Sequence, residues 1–198
     1  MKYLVTIFLL AAACTLQAQK PLNGLEKDFM DYSKLLVDGD YATALDYAPK
    51  NMFTIVPRTT MIAVMENMLN SDDFKLLLHL PAFTKSDKAF IDDKVTYQVF
   101  YYKQRLGINF ETEASEDMAG EDNDLTNNMR LNLLNATYGD GSVTYNSTTK
   151  WYDINIVKRA LAIQYEEASR LHFAVLEDNQ TELLEKLFPK SVLKKITQ

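Results

Sequence analysis

Residues 94–110 constrain the fold of this chain more than any other segment. Val95, Tyr97, Val99 and Tyr101 alternate there with Thr96, Gln98, Phe100 and Tyr102. Successive side chains of a strand point to opposite faces, so both faces of this segment carry bulky groups. A strand with one wet face would alternate apolar with polar. This composition instead predicts a long central strand covered on both sides. The rest of the chain must supply two covering layers.

Helices come first. Leu25, Phe29, Tyr32 and Leu36 share one helical face. Asp38-Gly39-Asp40 ends that helix, and Gly39 suits a left-handed cap. Asp40 then caps a second short helix that runs through Tyr47 and stops at Pro49. Beyond Pro57, Thr60 is the expected cap of a third helix, with Met61, Val64, Met65, Met68 and Leu69 on one face. The period then changes. Phe74, Leu76, Leu78 and Leu80 alternate with Lys75, Leu77 and His79, which reads as a strand broken at Pro81.

Residues 111–124 hold seven acidic side chains and no basic one, and are expected to form a solvated loop. Asp124 is the expected cap of a helix over 125–138 that closes at Gly139. Strands are expected at 143–145, 150–156, 160–166 and 171–177, with Ser147-Thr148 turning the first pair. Asn179 and Glu182 have capping-box spacing ahead of Leu183, Leu184 and Leu187. Pro189 opens a short C-terminal helix carrying Val192, Leu193 and Ile196. No repeat or linker interrupts this order. The expected fold class is α+β. N-terminal helices pack on a curved, mostly antiparallel sheet, with a helix inserted before the later strands.

The leader speaks to destination. Met1-Lys2, an apolar run to Leu16, then Gln17-Ala18-Gln19 read as a signal peptide over 1–18, cleaved after Ala18. That leaves 19–198 as one domain. The apolar run is shorter than the ~20 residues that span a bilayer, and no later run matches it, so the chain is not expected to be transmembrane. Ala11-Ala12-Ala13-Cys14 also loosely resembles a lipobox, in which Cys14 would carry a lipid anchor, although Ala11 replaces the usual Leu. Cys14 is the only cysteine. Cleavage after Ala18 would leave no thiol for disulfides, thiol catalysis or thiolate metal sites. Exported localisation follows: periplasmic, cell-envelope associated or secreted.

Chemistry is mostly excluded. A net charge of −6 argues against nucleic acid as a partner. Gly139-Asp140-Gly141 lacks the further glycine of a dinucleotide loop and reads as a turn. His79 and His172 are the only histidines and no H-E-x-x-H occurs, so no metal site is assigned. The acidic loop lacks the residue order of a calcium loop. No G-x-S-x-G elbow is present. The triplets at Asn135, Asn146 and Asn179 match the glycosylation pattern; in a bacterial exported protein they are coincidence, and in a eukaryotic host they would matter. The eleven tyrosines and eight methionines suit an adaptable apolar pocket, and equally an ordinary core. Trp151 is expected to pack on a strand face.

The order of elements resembles the nuclear transport factor 2-like (cystatin-like) fold. More narrowly, the chain resembles uncharacterised exported proteins of Gram-negative bacteria. The residues that carry the likeness are Gly39-Asp40-Tyr41, Ala44-Leu45-Asp46, Phe53, Pro57-Arg58, Tyr138-Gly139 and Val143-Thr144-Tyr145. Leu161-Ala162-Ile163, Leu171-His172-Phe173, Leu187-Phe188-Pro189 and Val192-Leu193 complete the set. One departure is Leu171, where an aromatic would often stand. The resemblance implies a cone-shaped sheet wrapped around the first helix and enclosing a cavity. That fold hosts enzymes and binding modules alike, so it selects no activity. The expected function is non-enzymatic: an exported domain binding a small apolar ligand or an envelope protein partner, with no cofactor and no assigned catalytic residue. The alternatives are a structural envelope component, or a hydrolase or isomerase using acid–base groups in the cavity. The candidates for such work are His79, Asp153, Tyr97, Tyr101 and His172. Strand parity turns His79 and His172 away from the apolar faces of their strands, toward solvent.

Overall fold

A computed structural model describes residues 22–110 and 122–197. The expected signal peptide over 1–18, Cys14 and most of the acidic 111–124 segment lie outside the described residues. In chain order the helices are α1 (Leu25–Val37), α2 (Tyr41–Ala44), α3 (Met52–Ile55), α4 (Arg58–Leu69), α5 (Asp122–Tyr138), α6 (Thr181–Leu187) and α7 (Lys190–Ile196). The strands are β1 (Lys75–Leu78), β2 (Ala82–Ser86), β3 (Phe90–Asp92), β4 (Val95–Asn109), β5 (Val143–Asn146), β6 (Trp151–Gln164) and β7 (His172–Val175). They form a seven-stranded, antiparallel, curved open sheet, and the class is α+β.

Two long strands organise it. β4 and β6 pair without interruption from Thr96↔Gln164 to Ile108↔Tyr152. The strands expected at 150–156 and 160–166 are therefore one. Lys158 and Arg159 make the sequence look broken, but both are accommodated in the sheet. Lys158 pairs with the Glu177 carboxylate, and the Arg159 carbonyl accepts from Leu176 N at 2.8 Å. β1, β2 and β3 line up in turn along β4, while β5 and β7 line the outer side of β6. β2 and β3 had no readable alternation in the sequence. In β2 the register shifts between Phe83 and Lys85, which breaks the period of two.

Parity along β4 decides the layers. The even residues Phe100, Tyr102, Leu106, Ile108 and Phe110 all lie in apolar clusters. At one end they meet Leu25 and Phe29 of α1; at the other they meet Leu131 and Leu134 of α5. The odd residues Tyr97, Val99 and Tyr101 meet Leu187, Val192 and Ile196 of the C-terminal helices. From Lys103 onward the odd face turns polar. The sheet is thus covered on both sides only at the Tyr97–Tyr102 end, and the expectation of a strand covered on both sides over 94–110 is corrected from Lys103 onward. At the polar end Trp151 lies across Gly107, so close that a Cβ at 107 would meet its ring at 2.8 Å.

Local signals explain the anchoring of α1. Gly39 adopts φ 79°, Gly39 N donates to Leu36 O and Asp40 N donates to Leu35 O, which closes the helix in a Schellman turn. Asp40 caps α2 by accepting from Thr43 N at 3.0 Å. Buried Gln98 accepts from Leu22 N at 2.8 Å and donates to Asp87 O at 2.7 Å and to Ser86 Oγ at 3.1 Å. Asp28 accepts from Leu171 N at 3.1 Å, tying α1 to the start of β7.

Several expectations need correction. α4 starts at Arg58 with Pro57 as its cap, not at Thr60, and buries none of its residues. Val64 and Met68 are exposed; the contacts of α4 are with α2 and with the edge strand β1. α5 begins at Asp122, so Asp124 is inside its first turn. The Asn179–Glu182 capping box does not form: a 3₁₀ turn (Asp178–Gln180) precedes α6, and Glu182 pairs with Lys186 at 2.7 Å. The expected 74–80 strand is shorter, and Leu80 is half exposed beside Pro81.

Candidate functional site

A cavity of about 410 Å³ opens on the α1 side. It curls round the free edge of β7, taking Phe173 and Val175 from one face of that strand and Ala174 from the other. α1 supplies Phe29, Tyr32 and Leu36, α4 supplies Met61 and Met65, and Met52 and Leu184 close the far side. The walls are cross-braced. Asn51 Nδ2 donates to Leu187 O at 2.8 Å, and Arg58 donates to the Ala42 carbonyl and to Asp46 Oδ1.

The space arises from a mismatch of shapes. Ala44, Ala48, Ala160 and Ala174 stand where larger side chains would fill the gap between α1, the turn before Pro49 and β7. Around them a ring system is tightly set. Phe29 meets Phe100 at 4.8 Å and Tyr102 at 4.8 Å, and Tyr32 meets Phe173 at 5.6 Å. One wall is therefore stiff and aromatic. The opposite wall is built of flexible methionines, which adapt to a guest.

Among the described residues no aspartate, glutamate, lysine, arginine or histidine lines the cavity. Its titratable groups are two phenols. Burial pushes Tyr32 up to about 12. Burial also pushes Tyr102 up, helped by nearby Tyr32 and the Glu177 carboxylate. Both stay protonated at any physiological pH. The other polar side chains are mostly committed. Ser33 Oγ donates to Phe29 O at 2.7 Å, and Gln104 Nε2 donates to the His79 and Arg105 carbonyls at 3.1 and 3.0 Å. Gln180 is exposed.

The five acid–base candidates lie elsewhere. Asp153 accepts from Arg105 Nη2 at 3.0 Å on the polar sheet face. His79 is half-buried beside β4, its backbone N donating to Arg105 O at 3.2 Å. Tyr101 donates to Asp87 Oδ2 at 3.2 Å. Tyr97 is buried and stacked on Phe90 at 5.5 Å, and burial raises its phenol. His172 corrects its parity reading. It is buried, not outward, because the C-terminal side of the sheet is covered as well. Its ring meets Tyr165 edge-on at 4.9 Å, and its Nδ1 is enclosed without a hydrogen-bond partner. Burial, then the charges of Lys50 and Arg170, pull it below the usual histidine range. Tyr97 and His172 share a face but flank Ile163 from separate strands, roughly 9–10 Å apart by strand spacing.

Comparison with known proteins brings no relative: no family model, curated protein or solved structure matches the chain. Function rests on the site itself. Among the described residues no group of three His, Cys, Asp or Glu side chains could hold a metal ion. No described helix is long and apolar enough to cross a membrane. The residues that sequence reasoning missed as a site are Tyr32, Tyr102, Val175 and the alanines. Each reads as ordinary core by periodicity, and only the tertiary packing leaves space between them.

Proposed function

We propose that this protein is an exported, non-enzymatic binding domain that takes a small apolar ligand into the cavity around β7. One observation carries the reading: a cavity of about 410 Å³ whose wall, among the described residues, bears no charged side chain. That volume lies within the range of about 300–1,000 Å³ common to small-molecule sites. An acid–base enzyme has less support, because none of its five candidates reaches the cavity wall. The signal-like leader supports export to the periplasm or cell envelope. The helix-then-curved-sheet order supports a nuclear transport factor 2-like cone of the kind the sequence resembles.

The test starts with protein purified from its native host. Native and denaturing mass spectra are compared, and the same protein is titrated with the fluorescent apolar probe N-phenyl-1-naphthylamine. The expected result is a small-molecule mass lost on denaturation, with saturable probe uptake once that molecule is removed. A bare polypeptide in both spectra, together with no probe uptake, would overturn the reading.

A further inference from the structure

Two hydroxyls set apart the polar part of the cavity. Tyr32 stands on α1 and Tyr102 on β4; both rings pack against Phe29, at 6.5 and 4.8 Å, and the two phenols are near enough to interact electrostatically. Neither hydroxyl has a hydrogen-bond partner among the described residues. The one fully enclosed and unpartnered side-chain atom among those residues is His172 Nδ1, so both phenols keep access to open space. Both residues line the cavity. An unpaired donor that faces open space can be met by an acceptor on a guest. Ser33 and Gln104 are already engaged and Gln180 is exposed, so the phenols are the inner donors left for a guest.

We infer that the ligand is an uncharged amphiphile, apolar along most of its length, whose single hydroxyl or carbonyl oxygen hydrogen-bonds to Tyr32 and Tyr102. The inference rests on the cavity-binding reading and sharpens it. Charge is selected against from both sides. A carboxylate would enter an apolar space with no cation on its wall, and a cationic head would find no anion there. The long apolar remainder fits the aromatic and methionine walls.

The experiment displaces N-phenyl-1-naphthylamine with 1-decanol, decanoate or decylammonium at pH 8, on the unaltered protein and on Tyr32→Phe and Tyr102→Phe. The expected result is decanol binding at least about tenfold tighter than either ion. Each Tyr→Phe change should weaken decanol by about three- to tenfold and leave the probe unaffected. The ligand comparison on the unaltered protein stands even if a variant fails to fold. Equal or tighter binding of either ion would overturn the inference, as would decanol affinity unchanged in both variants, while continued probe binding would leave the cavity reading standing. Absence of any binding by the probe and by decanol would overturn both.

Discussion

Replacing Val175 with phenylalanine tests whether the space around β7 is real. The register places Val175 beside Ala160 on the α1 side of the sheet, and the side chain is half-buried at the cavity wall. Phenylalanine adds four carbons to valine. At about 0.8 kcal/mol per buried carbon, complete burial would contribute roughly 3 kcal/mol. Side-chain ordering and imperfect fit take back about 1–2 kcal/mol. The expected net effect is stabilisation by about 1–2 kcal/mol, read as a higher urea midpoint at unchanged slope. Naphthylamine affinity should fall at least about tenfold in the same protein, because the ring occupies the guest's space. Stability and binding would thus move in opposite directions. In a filled interior the same change is overpacking and destabilises by about 1–3 kcal/mol. A lower midpoint with binding unchanged would refute the reasoning.

Three more predictions concern the frame of the site. Val99→Asp buries an unpaired charge between two covered faces and should abolish the cooperative transition; an unaltered melting curve would contradict the placement. Gln98→Leu leaves Leu22 N and Asp87 O without partners, and should cost about 1–4 kcal/mol after the apolar gain of leucine. It should also speed hydrogen exchange at Leu22, and a midpoint within error of the original with Leu22 still protected would refute it. His172 is held below its ordinary value near 6.5, so in the window below that value the unfolded chain takes up its proton first. Its contribution to stability is therefore full above about pH 6.5 and falls as pH drops through the window. His172→Phe should flatten the urea midpoint between pH 7.5 and 5.5; equal slopes in both proteins would dismiss the role.

What could be read from the chain differs by scale. Parity from residue 95 to 102 was legible, because a doubly covered strand must be bulky on both sides, and both covers are present. The turn at Gly39 and the Asp40 cap were legible because their chemistry is local. The continuity of β6 through Lys158 and Arg159 was not, since the partners that accommodate them, Glu177 and Leu176, lie well along the chain. His172 was misread for the same reason. Its neighbours on β7 indicate one buried face, while burial of the other face depends on residues 181–196 folding back. The cavity was least legible of all. Tyr32, Tyr102 and four alanines have ordinary core spacing, and an absence of packing has no local signature.

Methyl spectra of protein carrying ¹³C-labelled methionine would test the central claim most directly. Met52, Met61 and Met65 line the cavity, whereas Met68 and Met129 are exposed and do not. On addition of 1-decanol, the account predicts saturable shifts at the first three methyls and none at Met68 or Met129. Shifts confined to Met68 or Met129, or none at any methionine up to saturating decanol, would contradict a ligand held between α1, α4 and β7.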